Sequence, residues 1–521
     1  MLRNDQIQTD PNETVLLSTF TVNKKRSRVY LHRWKFIWET ENLPHSQHTI
    51  PLCDVIAISA GDDQPDCTYF VLDYAKRLNN NVWRHRRITV VHTDPRQVTM
   101  WIRTIQNHLN SFVHRPKRLL LFVNPYGGKQ RALKIFEKHG KPLFQIAKVD
   151  VSVIISQRQN QITDLLMHLN LNIYDAVACV GGDGTFSELF NGLLLKACKD
   201  KNINPNDANA EIPAPEVPVG VIPGGSTDTV AYCVHGTSDI QTAVLHIIFG
   251  ETIGLDLASA FSQDRFIRFY ASVMSYGFLG DVAKDSERFR WMGPKRYDYS
   301  GLKKILSNTG YDGELRLLCE KNDTENDDPS KCLENCNRCS SKKDQSAHTS
   351  TTDLSHATAT GTVQTTVNTT DPNTSPSNTE WRTVRGKFFM VNGANVSCAC
   401  AKSPNGIAPY CHIGDGCVNL VLVRHTSAFN VLRLLLRLSS RAKTINDFPF
   451  VEVYRVREFE FHSNVGDAAV SSNSTSSVWN CDGEVVKEAD IHVRVHCQLL
   501  NVYSRGLQEY IEKPSCFFCF S

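Results

Sequence analysis

Residues 175–190 read DAVACVGGDGTFSELF, and this stretch decides the fold class. An aliphatic run meets a turn of three glycines around an Asp, and a helical pattern follows. The same order recurs after LLLFV (119–123), VSVII (151–155) and VPVGVI (217–222). Strand, turn and helix in repetition predict a parallel sheet with helices on its faces, so we expect a Rossmann-like α/β domain over 116–260.

Two regions with strand-like patterns flank this domain. Residues 14–113 alternate like strands and end in an amphipathic helical pattern around Trp101. Residues 261–510 are predicted to form a β-rich, sandwich-like domain. Within it, residues 321–380 are rich in Thr, Ser, Asn and Asp and contain no Phe, Trp or Tyr, which predicts a disordered insert. The predicted fold class is multidomain, α/β plus β.

Composition narrows the class of protein. The 521 residues include 57 Lys and Arg against 54 Asp and Glu, and this balance argues against a general nucleic-acid binder. No apolar run approaches the ~18 residues of a spanning helix, and the first twenty residues carry no signal-peptide pattern. We therefore expect a cytoplasmic protein, peripheral on membranes, whose 17 cysteines are mostly reduced.

Glycine-rich turns follow three strands of the predicted sheet, at the edge where ligands bind in such folds. Their glycines allow backbone N–H groups to approach phosphate. The turns are Asn124-Pro125-Tyr126-Gly127-Gly128-Lys129, Gly181-Gly182-Asp183-Gly184-Thr185 and Pro223-Gly224-Gly225-Ser226-Thr227-Asp228-Thr229. Taken singly, they also fit an ordinary strand-to-helix turn, a helix-capping Asp and an N-cap.

A fourth motif, Asp482-Gly483-Glu484, lies some three hundred residues further on. Two carboxylates flanking a glycine suit a magnesium ion or its waters. A β-turn explains the same letters equally well.

In this order the four motifs resemble the diacylglycerol kinase catalytic superfamily, which includes the sphingosine and ceramide kinases. Residues 14–113 resemble a pleckstrin homology domain, and the likeness is greatest to the ceramide kinases, over roughly 15–320 and 381–510. The resemblance implies a lipid kinase that transfers the γ-phosphoryl group of ATP to the primary hydroxyl of ceramide, giving ceramide 1-phosphate. A sphingosine or diacylglycerol kinase and a catalytically inactive lipid-binding scaffold are the alternatives.

The resemblance also implies roles for individual residues. Asp183 is the expected proton acceptor, in a substrate loop of Gly181, Gly182, Asp183 and Gly184. Magnesium is expected at Asp482 and Glu484. The residues expected at ATP are Asn124, Pro125, Tyr126, Gly127, Gly128, Ser156, Gln157, Arg158, Gln159, Asn160, Glu188, Ser226, Arg290, Arg296, Asp482, Gly483 and Glu484.

One position bears on the choice of lipid. In our alignment, sphingosine kinases hold an acid where this chain has Ala283. A cationic amine favours an acid and an amide does not, so Ala283 favours ceramide. The neighbouring Asp281 and Asp285 are close enough in sequence to shift that alignment.

Two basic segments suggest partners. Lys24, Lys25, Arg26 and Arg28 form either an anionic-membrane or phosphoinositide site or a solvated turn. Residues 426–443 carry arginines every four residues, which suits calmodulin, an anionic membrane, or a packed helix with a solvated Arg stripe. The family's response to calcium makes Ca²⁺ an expected activator, and the Golgi or plasma membrane the expected location.

Three cysteines, Cys332, Cys336 and Cys339, have the spacing C-x3-C-x2-C. Ceramide kinases carry the same cluster. Zinc needs a fourth ligand that the local sequence does not offer, so the two interpretations are a metal site and redox-sensitive thiols.

Overall fold

The computed structural model describes residues 14–41, 47–61, 67–127, 131–293, 295–320, 330–348, 379–441, 443–463 and 476–509. These residues divide into two compact units. The first contains the described residues of 1–201, 213–253 and 500–521, and the second those of 202–212 and 254–499. The chain crosses between the two units more than once, and the domain boundaries at 113 and 260 stay predictions.

The first unit begins with an antiparallel sheet in the order β4-β3-β2-β1-β7-β6-β5. Helix α1 (Pro95–Asn110) follows it, capped by the Asp94 side chain, which accepts a hydrogen bond from the Arg96 N–H at 2.9 Å. The fully buried Trp101 packs against Phe20 of the sheet, as the helical pattern predicts. The strands are β1 (Thr14–Val22), β2 (Lys25–His32), β3 (Lys35–Thr40), β4 (Gln47–Pro51), β5 (Val55–Ala60), β6 (Tyr69–Arg77) and β7 (Trp83–Val91), with a 3-10 turn at Leu52–Asp54. This arrangement is compatible with a pleckstrin homology-like domain.

The rest of the first unit contains the predicted parallel sheet, in the order β9-β8-β10-β11. The inner strands β8, β10 and β11 are mostly apolar and buried, whereas the edge strand β9 is half exposed. The elements are β8 (Arg118–Val123), α2 (Ala132–Ile135), a π-helical turn (Phe136–Gly140), α3 (Lys141–Ile146), β9 (Asp150–Ile155), α4 (Gln161–Leu166), β10 (Ala176–Gly181), α5 (Asp183–Asp200), β11 (Val219–Pro223), α6 (Thr229–His235) and α7 (Ile240–Phe249). The mixed α/β class is confirmed.

The second unit is built mainly from antiparallel strands. Two long strands, β16 and β18, each pair with β15 over one part and with β17 over another, around a core that includes Trp479. The elements are β12 (Thr252–Ser262), β13 (Arg265–Tyr270), β14 (Val273–Gly277), α8 (Phe278–Ser286), a 3-10 turn (Glu287–Met292), α9 (Lys295–Ser307), β15 (Tyr311–Glu320), α10 (Asn337–His348), β16 (Thr379–Ala394), β17 (Val418–Arg424), α11 (Ala428–Leu438), a 3-10 turn (Ile445–Asp447), β18 (Val451–Ser463), β19 (Trp479–Cys481), β20 (Glu484–Val486) and β21 (Ile491–Tyr503).

Three features of this unit differ from or limit the sequence prediction. The prediction of a disordered insert at 321–380 is wrong for residues 330–348, which include α10. Residues 321–329 and 349–378 lie outside the described residues. Helices α8 and α9 lie in a region where the alternation of apolar and polar residues predicts mostly strands. The predicted helix near 430 is confirmed as α11. Among the described residues, no helix combines the length and apolarity needed to cross a bilayer.

Candidate active site

The three glycine-rich turns lie at the same edge of the parallel sheet, where β8, β10 and β11 end. The Asn124 N–H donates to the Val180 carbonyl at 3.1 Å, and the Gly224 N–H donates to the Gly181 carbonyl at 2.9 Å. A Cβ on Gly225 would lie 2.6 Å from the Gly182 Cα. Glycine is required at this crossing because the second and third turns touch through their backbones.

Asp183 is the first residue of α5, with Gly182 as the residue before the helix. Its two carboxylate oxygens accept hydrogen bonds from the Thr229 and Val230 N–H groups, each at 3.0 Å. The first turn of α6 therefore fixes the half-buried carboxylate. Beside it, no described atom lies within 4 Å of the position that a Cβ on the exposed Gly184 would take. A carboxylate of fixed orientation thus borders open space at a helix N-terminus, which favours anions.

Two further acids lie near this strand end. Glu188, one turn into α5, and Asp228, before α6, are both buried. Burial raises the pKa of the Cys179 thiol in β10, and the nearby carboxylates of Asp228, Asp183 and Glu188 raise it further. The sequence analysis included the motif that contains Asp228 but did not name Asp228 as a site residue. The Asp228 Oδ1 accepts a hydrogen bond from the Gly225 N–H at 2.8 Å and so shapes the third turn. Ser226 is exposed on that turn.

The first turn is held by Asn124, a predicted site residue, through Thr185, which belongs to the second motif but was not among the predicted site residues. The Asn124 Nδ2 donates to the Thr185 Oγ1 at 3.0 Å, while its Oδ1 accepts from the Tyr126 N–H at 3.0 Å. The Tyr126 side chain is 64% exposed, which leaves its ring available to a ligand. Pro125 and Gly127 complete the described part of the turn, and Gly128 lies outside the described residues.

The segment after β9 presents an exposed surface next to this turn. The buried Ser156 donates its N–H to the Val123 carbonyl at 2.9 Å, which places it beside the end of β8. Gln157, Arg158, Gln159 and Asn160 are exposed. Arg158 forms a 2.6 Å ion pair with Asp164, so its guanidinium is oriented but accessible to solvent.

A basic cavity of about 390 Å³ lies beside the turns and was also not predicted. Its lining residues are Arg131, Lys134, Ile135, Lys138 and His139. Ile135 brings it close to the third turn, because its Cδ1 lies 3.7 Å from the position of a Cβ on Gly224. Cations at this edge of the sheet attract the phosphates of a nucleotide.

In the second unit, Asp482 is buried and its carboxylate is fully engaged. It accepts from the backbone N–H groups of Ala271, Ser272 and Val273 at 2.7, 3.0 and 3.0 Å, and from the Ser272 hydroxyl. Residue 482 has φ 47° and Gly483 has φ 93°, as a tight turn between β19 and β20 requires.

Both carboxylates of the predicted magnesium site at Asp482 and Glu484 have protein partners, and their role at magnesium stays a prediction. The Asp482 oxygens already receive four donors, and Glu484 pairs with the Arg268 guanidinium. The two carboxylates therefore stabilise the turn of the β-rich unit, as the β-turn interpretation expects.

The predicted arginines of this unit lie in and beside α9. Arg296 stacks on Tyr297, with its guanidinium carbon 4.7 Å from the ring centroid. It also lies 3.9 Å from the Glu287 carboxylate. Arg290 belongs to the 3-10 turn Glu287–Met292, and its side chain lies outside the description.

Helix α11 has an apolar outer face beside the exposed Arg433. Phe429, Leu432 and Leu436 are 69%, 46% and 65% exposed. The guanidinium of Arg437 lies 4.9 Å from the Phe448 ring centroid and forms a 3.0 Å ion pair with Asp447. Because Val431 and Leu434 pack into the core, α11 is a packed helix with an uncovered hydrophobic surface.

Comparisons with known proteins agree with these features. A family model described as the diacylglycerol kinase catalytic domain matches residues 118–260, and one described as the ceramide kinase C-terminal domain matches residues 345–520. The chain is 36% identical to a ceramide kinase of Mus musculus over 84% of both proteins, and 33% identical to a ceramide kinase of Homo sapiens over 94% of both. A solved structure titled as a putative diacylglycerol kinase from Bacillus anthracis str. Sterne aligns with a TM-score of 0.47 at 14% identity, covering 75% of this chain and 97% of that one.

The two mammalian relatives each exceed 30% identity over most of this chain, and the two family models match its α/β domain and the C-terminal part of its β-rich unit. The chain belongs to the ceramide kinase family of ATP-dependent lipid kinases.

Proposed function

We propose that this chain transfers the γ-phosphoryl group of ATP to the primary hydroxyl of ceramide. The observation that carries the proposal is the meeting of three glycine-rich turns around Asp183 at one edge of the parallel sheet. Phosphoryl transfer needs positioning and charge stabilisation more than covalent chemistry, and backbone N–H groups at a sheet edge provide both.

ATP is proposed to lie along the first and third turns with its phosphates towards the basic cavity. Tyr126, the run Gln157 to Asn160 and Ser226 are exposed in the first unit and suit the nucleotide. The half-buried Asn124 and Gly127 lie in the same first turn. Arg131, Lys134 and Lys138 line the cavity and balance the phosphate charge. The role of Arg290 and Arg296 at the phosphates stays a prediction from the family resemblance.

Magnesium is the metal that we expect with ATP, since kinases hold it through one or two carboxylates and the substrate phosphates. Asp183, Glu188 and Asp228 suit this role better than Asp482 and Glu484, because all three carboxylates lie near the end of β10. The ion would neutralise charge that develops on the transferring group. Calcium as an activator stays a prediction.

Asp183 is proposed to orient the lipid hydroxyl and to accept its proton late in the transfer. A carboxylate is too weak a base to deprotonate an alcohol beforehand, so its contribution lies in position and in the timing of proton transfer. The two N–H donors of α6 hold it in one orientation, and the open space at Gly184 gives a substrate access to it.

The neutral headgroup of ceramide is favoured by the surroundings of the buried Ala283 in α8. Its acidic neighbours already have partners: Asp281 accepts from Ser477 at 2.6 Å and from the Tyr311 hydroxyl, and Asp285 pairs with Lys303 at 3.0 Å. Burial alone would raise the pKa of Asp285, but the Lys303 bond outweighs it and the pKa is lowered. An arriving amine would have to compete with these partners.

A lipid panel tests the proposal. The purified full chain is incubated with magnesium ATP labelled at the γ-phosphate and with ceramide, sphingosine or diacylglycerol in mixed micelles. We expect label in ceramide and much less in the other two lipids. Equal or greater labelling of sphingosine or diacylglycerol would overturn the substrate, and no labelling of any lipid would favour the inactive scaffold.

We also propose that the chain binds peripherally to anionic membranes, where its lipid substrate resides. Lys24, Lys25, Arg26 and Arg28 are all exposed on the β1–β2 hairpin and suit anionic lipid or phosphoinositide headgroups. The outer face of α11 offers the apolar contact, with the exposed Arg433 beside it.

Calmodulin is less favoured at 426–443, because wrapping α11 would pull Val431 and Leu434 out of the core. A membrane of the Golgi or the cell surface stays the predicted location.

A further inference from the structure

A cluster of three cysteines and one histidine lies in the second unit, apart from the proposed chemistry. Cys332, Cys336 and Cys339 bring their sulfurs together at the start of α10, and His412 reaches them from the segment that joins β16 to β17. The four candidate ligand atoms all lie within 4.8 Å of one another. His412 is the fourth ligand that the sequence around the cysteines does not offer, and it lies more than seventy residues further along the chain.

The distances match a tetrahedral metal site. Zn–S bonds of about 2.3 Å and Zn–N bonds of about 2.0–2.1 Å give S···S edges of about 3.8 Å and S···N edges of about 3.6 Å. The Cys332 and Cys339 sulfurs lie 3.7 Å apart. The His412 Nδ1 lies 3.2 Å from the Cys336 sulfur and 4.0 Å from the Cys339 sulfur. A disulfide between any of these thiols would need about 2.05 Å, so the described arrangement is not an oxidised pair.

The histidine ring supports the same interpretation. His412 is 2% exposed, and its Nε2 has no hydrogen-bond partner among the described residues. Its Nδ1 faces the Cys336 and Cys339 sulfurs, and the Asp415 carboxylate is close enough to interact with the ring electrostatically. A ring nitrogen turned towards several thiols suits a metal ion, because imidazole is one of the commonest metal ligands in proteins.

The backbone on both sides of the cluster is fixed. Gln498 donates from Nε2 to the Cys339 carbonyl at 2.8 Å and to the Gly414 carbonyl at 2.7 Å, which joins the two ligand-bearing segments. The Asp256 N–H donates to the Ile413 carbonyl at 2.7 Å, next to the histidine. Ligands carried on such restrained segments are pre-organised for a structural ion.

We propose that Cys332, Cys336, Cys339 and His412 bind one Zn²⁺ ion in a closed, structural Cys3His site. The ion joins residues 330–348 to the loop between β16 and β17 and stabilises the β-rich unit. Thiolate and imidazole ligands select zinc over magnesium or calcium, and four protein ligands leave no position for substrate. Its four ligands are outside the set of residues proposed for phosphoryl transfer.

The test begins with the metal content of the full chain, purified without chelator under reducing conditions. We expect about one zinc ion per chain. Replacing zinc with Co²⁺ should give the visible bands of tetrahedral cobalt and a thiolate-to-cobalt charge-transfer band. Protein without zinc that also fails to take up Co²⁺ or added Zn²⁺, or protein in which these thiols form a disulfide, would overturn the site.

Variants assign the ligands. Cys336→Ser and His412→Ala should each lower the zinc content to below about a tenth of an ion per chain, whereas His412→Cys should retain zinc because it restores a fourth ligand. Cys497→Ser is the matched control, since Cys497 is exposed in the same unit and outside the cluster. Where a variant folds poorly, thiol-specific mercurial titration of the wild type gives the same information, because it should release zinc as the cluster thiols react. Full zinc content in both loss variants would contradict the proposal.

Discussion

At the scale of single residues, Asp183 combines two roles that a substitution can separate. Asp183→Asn keeps the size of the side chain but presents an amide NH₂ to one of the two N–H donors of α6. We expect a loss of turnover of about 10²- to 10⁴-fold, because the proton acceptor is gone. We also expect a stability loss of about 1–3 kcal/mol, because one buried donor is left without an acceptor. Turnover with ceramide and urea unfolding measure the two effects.

The matched control is Asp239→Asn in the same unit. The Asp239 carboxylate also caps a helix, accepting from the Thr242 N–H at 2.9 Å and pairing with Arg84 at 2.6 Å, but it belongs to α7 and not to the glycine-rich turns. This variant should lose similar stability and keep normal turnover. If Asp183→Asn showed native turnover, the assignment of Asp183 would be wrong whatever its stability.

The glycines of the turns give a second residue-scale prediction. Gly184→Ala adds a methyl group where no described atom lies within 4 Å, so the fold should tolerate it and α5 gains a better helix former. If substrate occupies that space, turnover or the KM for lipid should worsen by about tenfold or more while thermal stability stays the same or rises. Gly225→Ala is the contrast, because its methyl group would clash with Gly182 and should lower stability. Unchanged kinetics in Gly184→Ala would place the lipid elsewhere.

The sequence predicted the place of these residues better than their partners. Glycine spacing after an aliphatic run located Asp183 at a strand end, since both signals are local. The amide donors of Asp183 come from Thr229 and Val230, 46 and 47 residues further along the chain. Those of Asp482 come from Ala271 to Val273, more than two hundred residues earlier. Such contacts depend on sheet pairing, which local patterns do not encode, so the four donors that surround Asp482 could not be predicted from the sequence.

At the scale of elements, the parallel sheet was predictable and the region 330–348 was not. Buried strands of a parallel sheet are continuous aliphatic runs, a signal that β8 and β10 carry strongly. Residues 330–348 lack aromatic side chains, so composition indicated disorder. The contacts of the Cys332, Cys336 and Cys339 thiols with the distant His412 hold that region instead. Amino-acid composition cannot predict contacts between residues that are far apart in the sequence.

Helices α6 and α7 carry a buried histidine pair that predicts a pH dependence of stability. The His235 Nε2 must donate to the Val221 carbonyl at 3.1 Å, so its Nδ1 accepts from the Nδ1–H of His246 at 2.9 Å and both rings are neutral. Burial lowers the pKa of His235 to about 4 and lowers that of His246 well below its ordinary value. Below an ordinary histidine pKa of about 6.5 the unfolded chain binds protons that the folded chain does not, so stability falls as pH falls from about 6.5 towards 4.

The expected size from His235 alone is about 2 kcal/mol between pH 7 and pH 5, by proton linkage. Urea unfolding at both pH values measures it. His246→Phe should be less stable at pH 7, because His235 loses its donor, yet should lose less stability on acidification. Exposed His168→Gln is the control and should keep the wild-type slope. An unchanged slope in His246→Phe would show that other groups cause the acid sensitivity.

At the scale of the whole molecule, a net charge of only +3 conceals surfaces of distinct character. The β1–β2 hairpin concentrates four cations, because Ser27 and Val29 point inwards and alternate with the exposed Arg26 and Arg28. The outer face of α11 is apolar, and the adjacent α9 adds Leu302 and Leu306, which are 59% and 79% exposed. Global composition averages these features away, so membrane binding has to be argued from local surfaces.

Vesicle binding by the full chain separates the two contributions, because only one of them responds to salt. Basic residues near an anionic surface contribute about 1 kcal/mol each at low ionic strength and lose this as screening shortens the Debye length. Changing Lys24, Lys25, Arg26 and Arg28 to Gln should therefore weaken binding to anionic vesicles by about tenfold or more and flatten its salt dependence.

Changing Phe429, Leu432 and Leu436 to Ser should weaken binding by a factor that salt leaves unchanged, since apolar burial is not screened. Two controls change exposed residues elsewhere: the double variant Arg96→Gln, Arg103→Gln removes charge, and Ile173→Ser removes apolar surface. Both should bind vesicles like the wild type. Equal weakening by these controls would mean that binding follows overall charge and hydrophobicity, and not the two surfaces.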